Sequence, residues 1–175
     1  MVSLNVLFWT YVILFAVIGA ARGWSKEILV TSSVILSMFI ITLFESYLPV
    51  MRDLTGTSYF WVRVSVVGLL VFFGYQTPNF RSLAGPRFVR ERFQDILLGM
   101  ILGGVNGYLV IGTLWFYMHE AGYPFAPYLA SPNLSDPLGR AAMEMIEKLP
   151  PAFLAPPWIY FATALAFLFL VIVLI

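Results

Sequence analysis

Five long stretches of apolar residues limit this chain to one kind of fold. They cover residues 4–21, 28–44, 60–76, 96–118 and 158–175. Each is close to the roughly 20 residues that an α-helix needs to cross the hydrocarbon core of a bilayer. With 61% hydrophobic and only 11% charged residues in 175, the chain carries more apolar surface than a soluble domain of this size can bury. We therefore predict an all-α membrane protein with about five transmembrane helices, forming one membrane domain over residues 1–175.

An amphipathic helix is predicted in the longest loop, between the fourth and fifth spans. Over residues 136–149 apolar side chains recur at spacings of three and four, and the charged residues project elsewhere. Ser135 is the expected N-cap, Pro137 suits the first turn, and Pro150-Pro151 should end the helix. Such a helix lies flat at the membrane interface or covers the bundle. We favour a cap packed on the spans, with a recruitment surface for partners as the alternative.

The basic residues predict the orientation of the chain in the membrane. Cytoplasmic loops carry an excess of Lys and Arg, and the first and third loops hold six of the ten in this chain. They are Arg22, Lys26, Arg81, Arg87, Arg90 and Arg92. These loops are therefore predicted to be cytoplasmic, with the N-terminus outside and the C-terminus inside. The arginines of the third loop, with Asp95, also form a candidate patch for anionic lipid head groups or a protein partner, although we favour the simpler interpretation of a topology anchor.

The connection between the first two spans holds the sharpest local motif, Arg22-Gly23-Trp24-Ser25-Lys26-Glu27. Gly23 permits a positive φ in a tight turn, so the two spans are expected to form an antiparallel hairpin. Arg22 and Glu27 lie at the membrane boundary, where they are placed to pair with each other, with Asp95 or with lipid phosphate. The simplest interpretation is a positive-inside anchor with a turn glycine.

The fourth span carries Gly99, Gly103 and Gly107 at successive spacings of four. Because lipid provides no hydrophobic effect between helices, small residues that let backbones touch form the interfaces. We predict that this stripe is the most tightly packed face of the bundle, and that Asn106 beside it hydrogen-bonds across helices. A glycine-lined conduit or hinge is the functional alternative.

Charged residues within the spans lie only near the span ends. Glu45 and Arg63 fall on the same outer side and are expected to pair. The middle of the spans holds few polar groups, which is evidence against a transporter with a midplane site. The chain has no Cys and a single His119, and it lacks the sequence motifs of the common enzyme classes. We predict no catalytic residue, metal site or cofactor, and the net charge of +1 gives no reason to expect nucleic acid as a partner.

Two segments resemble the signatures of a known family. The first is Arg22-Gly23 followed by Lys26-Glu27, after an uncharged span, and the second is the stretch from Gln94 to Gly107. The matching positions of the second are Asp95, Gly99, Gly103 and Gly107. Over roughly residues 1–120 the chain thus resembles the colicin V production protein family (CvpA-like). Lys26 stands where that family often has Arg, and Ile96 and Asn106 stand where basic residues are usual.

The resemblance implies a bacterial inner-membrane protein of about four spans, without an assigned enzymatic activity, associated with colicin V production and envelope maintenance. The fifth span is an addition to that pattern and suggests docking in a larger assembly. We therefore expect a non-catalytic accessory or scaffold protein that contacts the lipid bilayer and other membrane subunits or copies of itself. A small-solute or ion conduit and a secretion factor are the alternatives.

Overall fold

The computed structural model describes residues 4–76, 92–126, 128–129 and 131–174. In these ranges 83% of the residues are helical and none lies in a β-strand, which confirms the predicted all-α fold. The helices are α1 (Leu4–Arg22), α2 (Trp24–Tyr47), α3 (Pro49–Asp53), α4 (Gly56–Tyr75), α5 (Arg92–Glu120), α6 (Pro137–Ile146), α7 (Pro150–Phe153) and α8 (Trp158–Leu174).

Four of the described helices, α1, α2, α4 and α5, are long and apolar enough to cross a membrane. The fifth predicted span corresponds to α8, which is apolar but only 17 residues long, near the lower limit of about 17 residues for a spanning helix. Large apolar side chains are exposed along α1, α4 and α8, as expected of helices that face lipid rather than water.

Helix α5 lies at the centre of the bundle, and its most extensive contact is with α1. It also packs on α2, α4, α6 and α7, whereas α8 packs mainly on α2. Residues of α2, α5 and α8 form one buried apolar cluster, which consists of Val30, Val34, Met38, Leu109, Val110 and Ile159. The core is therefore organised around α5, with α1 and α2 packed against it, whereas α8 packs mainly on α2.

The connection between α1 and α2 is shorter than the sequence indicates. A turn over Arg22–Glu27 was predicted from the sequence, but only Gly23 is non-helical, with φ 87°. Helix α2 begins at Trp24 because the Asp95 carboxylate, from α5, accepts a hydrogen bond of 3.2 Å from the Trp24 backbone N–H. An N-terminal N–H of a helix needs a partner outside the helix, and here a distant helix supplies it.

The loop after α5 differs from the prediction in its helix ends. The N-cap of α6 is Asp136, whose side chain accepts a 3.3 Å hydrogen bond from the Leu138 N–H, so the predicted cap at Ser135 is wrong. Helix α6 ends at Ile146 rather than at residue 149, and Pro150 begins the short α7. A proline lacks the N–H that is unpaired anyway in a first helical turn, so it can start a helix as well as end one.

The segment between α6 and α8 enters the bundle. Leu149 and Pro150 are buried against Gly112 of α5, which lies about 12 Å before the end of that helix at 1.5 Å per residue. The Tyr108 hydroxyl donates a hydrogen bond to the Lys148 carbonyl. Helix α6 itself packs on α1 and α5 and buries Ala142 and Ile146. It therefore covers this part of the bundle, as described by the prediction of a helix packed on the spans.

Candidate functional site

Two groups of polar side chains lie inside the bundle, one towards each end. We name them the turn cluster (Arg22, Glu27, Thr31, Tyr75 and Asn106) and the arginine cluster (Glu45, Tyr59, Arg63, Tyr117 and Glu120). Each draws side chains from at least three of the long helices. A buried charge needs an opposite charge and hydrogen bonds to be tolerated, and the geometry of both clusters provides them.

Asn106 connects α5 to α2 within the turn cluster. Its side-chain nitrogen donates hydrogen bonds to the Glu27 carbonyl (2.8 Å) and to the Glu27 carboxylate oxygen Oε2 (2.7 Å). Its side-chain oxygen accepts a hydrogen bond of 2.6 Å from the Thr31 hydroxyl. Glu27 and Asn106 are each 0% exposed. Both donors and the acceptor of the amide are thus engaged, which holds α2 and α5 in one register.

Arg22 neutralises the buried Glu27 carboxylate from the end of α1. Its Nε lies 3.3 Å from Glu27 Oε1, an oxygen that accepts no hydrogen bond from the described residues. The guanidinium lies 4.2 Å from the centroid of the Tyr75 ring and donates to the Tyr75 carbonyl at 3.4 Å. Of the partners considered for Arg22 in the sequence analysis, the structure places it on Glu27.

The glycine stripe of α5 packs directly on α1. A Cβ at Gly103 would lie 2.8 Å from the Gly19 Cα and would also collide with the Phe15 carbonyl, and one at Gly107 would lie 2.7 Å from the Phe15 Cβ. A Cβ at Gly99 would collide with the Gly19 carbonyl. The backbones of α1 and α5 thus touch along three turns of α5, at a contact that Gly19 also permits. Gly19 was not predicted as part of this interface, although a small residue next to Ala20 was a signal for close helix packing in the sequence.

The residues of the predicted lipid or partner patch are only partly described. Arg81, Arg87 and Arg90 lie outside the described residues, as does the side chain of Arg92, whose backbone begins α5. Asp95 is half-buried and binds the Trp24 N–H. It therefore acts within the bundle as a capping carboxylate for α2, where the positive end of the helix dipole favours a negative charge. Lys26, the remaining motif residue, is half-buried in the first turn of α2.

The arginine cluster joins α2, α4 and α5 at the other end of the bundle. Arg63, 6% exposed, donates from Nε to Glu45 Oε1 at 2.8 Å and pairs through Nη1 with Glu120. Its guanidinium lies 3.8 Å from the centroid of the Tyr59 ring and 4.6 Å from that of Tyr117. The Arg63–Glu45 pair agrees with the sequence expectation. Glu120 was missed, because nothing in the sequence shows that the end of α5 lies beside α4.

Neither cluster has the geometry of a metal site. Within the described ranges, no three His, Asp or Glu side chains lie together in a way that could hold a metal ion. Both clusters instead consist of cations and acceptors that already bind each other. The ion pairs and hydrogen bonds of the two clusters hold neighbouring helices together.

The comparisons with known proteins add no relative. No protein-family model matches the chain, and no curated protein or solved structure matches it significantly. The resemblance to the colicin V production protein family thus remains a prediction that rests on the sequence motifs.

Proposed function

We propose that this protein is a non-catalytic accessory or scaffold component of the bacterial inner membrane, which holds other membrane subunits or further copies of itself. The proposal rests on one observation: the buried charged side chains of both clusters already pair with other side chains. Glu27 is engaged by Asn106 and Arg22, and Arg63 by Glu45 and Glu120. Removing one partner of such a buried pair is costly, so both clusters favour a bundle that keeps one arrangement.

The interior between the two clusters also favours a static bundle. It is filled by the apolar cluster of α2, α5 and α8. Four Ser and Thr hydroxyls are buried among the described residues. Those of Ser32, Ser37 and Thr163 donate to the carbonyls of Ile28, Val34 and Ile159, and that of Thr113 donates to the Met38 sulfur. A conduit needs a path of polar groups or a hydrated cavity across the membrane. Among the described residues the polar groups form no such path, and this supports a scaffold over a transporter.

The two segments on which the proposed kinship rests contact each other in the fold. Asp95, at the start of the second segment, lies against Gly23 and the Trp24 N–H of the first. Asn106, near the end of the second, binds Glu27 of the first. The two segments, which are separate motifs in the sequence, thus form one packed unit. If the kinship holds, a role in envelope maintenance or secretion would be exerted through this unit and its partners.

An ion or small-solute conduit is the second candidate function. The observation that favours it is Glu27 itself, a carboxylate with no exposed surface inside a membrane-spanning helix. Ionisable residues in such positions often mark ion or proton pathways. Arg22, whose side chain is 19% exposed, would be the element that moves to open the site.

The experiment that separates the two functions is mild-detergent purification of the chain from membranes, followed by mass spectrometry and size determination. A stoichiometric complex with other membrane proteins, or a defined homo-oligomer that transports nothing in liposomes, is the expected result. A chain that carries ions or protons across liposomes, with loss of transport in Glu27→Gln, would overturn the scaffold proposal in favour of the conduit.

A further inference from the structure

An apolar groove of about 290 Å³ lies between α1 and α4 in the half of the bundle that contains the arginine cluster. Its walls are Leu7 and Phe8 of α1 and Val64 of α4, and its floor is α5 at Leu114. Phe125 and Leu129, from the loop after α5, also line it. Among the described residues that line it, only Tyr11 and two tryptophans carry polar side-chain atoms.

The groove lies to one side of a contact between α1 and α4. Near the turn cluster the two helices meet, since the Phe15 and Tyr75 rings are 6.3 Å apart, edge to face, and Arg22 lies over the same Tyr75 ring. Towards the arginine cluster the space between them is the groove. The Phe15–Tyr75 contact lies beyond Tyr11, the last residue of α1 that lines the groove. At the other end Phe125 packs on Phe60 and Trp61, with ring centroids 5.5 and 5.9 Å apart.

The location of the groove determines which molecules can reach it. Both of its walls are helices long and apolar enough to cross a membrane, so in a bilayer these walls are bordered by lipid. Water is a poor occupant, because a buried water typically makes about three hydrogen bonds, and the described lining is almost wholly apolar. An empty groove would forfeit the dispersion contacts of its lining atoms. The occupant is therefore apolar and comes from the membrane.

A partner helix does not fit this space. A spanning helix needs a contact surface about 30 Å long. The lining stretch of α1, from Leu4 to Tyr11, rises only about 10 Å at 1.5 Å per residue. We propose that the groove binds one acyl chain of a membrane phospholipid, held between α1 and α4 beneath the Phe60–Trp61–Phe125 aromatic group. This inference stands independently of the scaffold proposal.

The first test fills the groove and counts bound lipid. Val64→Phe places a larger side chain in the groove, and the matched control Val17→Phe places it on the outer face of α1, where Val17 is 62% exposed. Native mass spectrometry of the full chain in mild detergent should show one phospholipid retained by the parent and by Val17→Phe, and its loss in Val64→Phe. Equal retention by all three chains, or none in the parent, would overturn the proposal. Retention of a molecule other than a phospholipid would do the same.

The second test places a reporter at the floor of the groove. The chain has five tryptophans, and a variant with Trp9, Trp24, Trp61 and Trp158 changed to Phe keeps only Trp115, which lines the groove and is 4% exposed. In phosphatidylcholine vesicles with brominated acyl chains, Trp115 emission should fall relative to unbrominated vesicles. Adding Val64→Phe should remove that loss, and adding Val17→Phe should not. The same loss with both substitutions would mean that bulk lipid reaches Trp115 by another route and would refute the site.

A second pair of variants keeps the test decisive if Val64→Phe does not fold. Leu7→Phe narrows the groove from the α1 wall, and Leu14→Phe is its control on the exposed face of the same helix. The expected pattern is the same, with lipid retention and quenching weakened only by Leu7→Phe. A failure of Leu7→Phe to change either measurement would count against the proposal.

Discussion

The side-chain amide of Asn106 and the carboxylate of Glu27 are joined by a 2.7 Å hydrogen bond that spans 79 residues of sequence. Both side chains are fully buried between α2 and α5. In hydrocarbon, neither group can exchange its partner for water. The stability of the bundle therefore depends on this pair in a way that can be measured.

We expect Asn106→Leu to lower the free energy of unfolding by about 1–3 kcal/mol, or more because the group left behind is charged. The substitution keeps a similar size but leaves Glu27 without its two Asn106 hydrogen bonds. Reversible unfolding in mixed detergent micelles would measure the change.

The double variant Glu27→Leu with Asn106→Leu provides the control for that measurement. Because the two side chains contact each other, the loss in the double variant should be smaller than the sum of the two single losses. Strictly additive losses would contradict a direct coupling between Glu27 and Asn106.

Gly103→Ala should destabilise the contact between α1 and α5, whereas Gly104→Ala should not. The added Cβ at Gly103 meets the backbone of α1, but at Gly104 the nearest atom is the Ala16 Cβ at 3.6 Å, an ordinary contact. Overpacking of this kind costs about 1–3 kcal/mol. Thermal unfolding in detergent should show a lower midpoint for Gly103→Ala alone. Equal midpoints for the two neighbours would mean that the close approach of α1 and α5 is not needed.

Arg63→Met should destabilise the protein because it leaves Glu45 and Glu120 together without their cation. Breaking a buried ion pair costs about 3–5 kcal/mol, and we expect the lower end because the two carboxylates are 32% and 41% exposed. The control Arg140→Met, at an exposed position of α6, should change the free energy of unfolding by no more than about 0.5 kcal/mol. A similar loss in both variants would show that the arginine cluster contributes little.

The proposed orientation predicts which new cysteines react outside the cell. The chain contains no Cys, and Ser25 and Ser131 are both exposed on opposite sides of the predicted topology. In intact cells a membrane-impermeant thiol reagent should label Ser131→Cys and leave Ser25→Cys unlabelled until the cells are opened. The reverse pattern would invert the topology.

The apolar segments and the individual polar pairs were largely readable from the sequence. Long apolar runs identify α1, α2, α4, α5 and α8, because a helix that faces lipid must be apolar on its whole outer surface. The pairing of Glu45 with Arg63 and the packing role of the α5 glycines follow from residue type and spacing. The helix ends were less accurate, as the N-cap of α6 shows, because neighbouring Ser and Asp residues are both good caps.

Only the tertiary structure decided which helices meet and which charges they share. Local sequence shows that Asn106 and Glu27 each need a partner, but not that α2 and α5 lie side by side to provide it. It likewise gives no sign that Glu120 completes the arginine cluster, that Leu149 and Pro150 enter the bundle, or that an apolar groove lies between α1 and α4. The reason is physical: apolarity of a span is a property of its own residues, whereas in lipid the choice of neighbours depends on close packing and on polar pairs between distant segments.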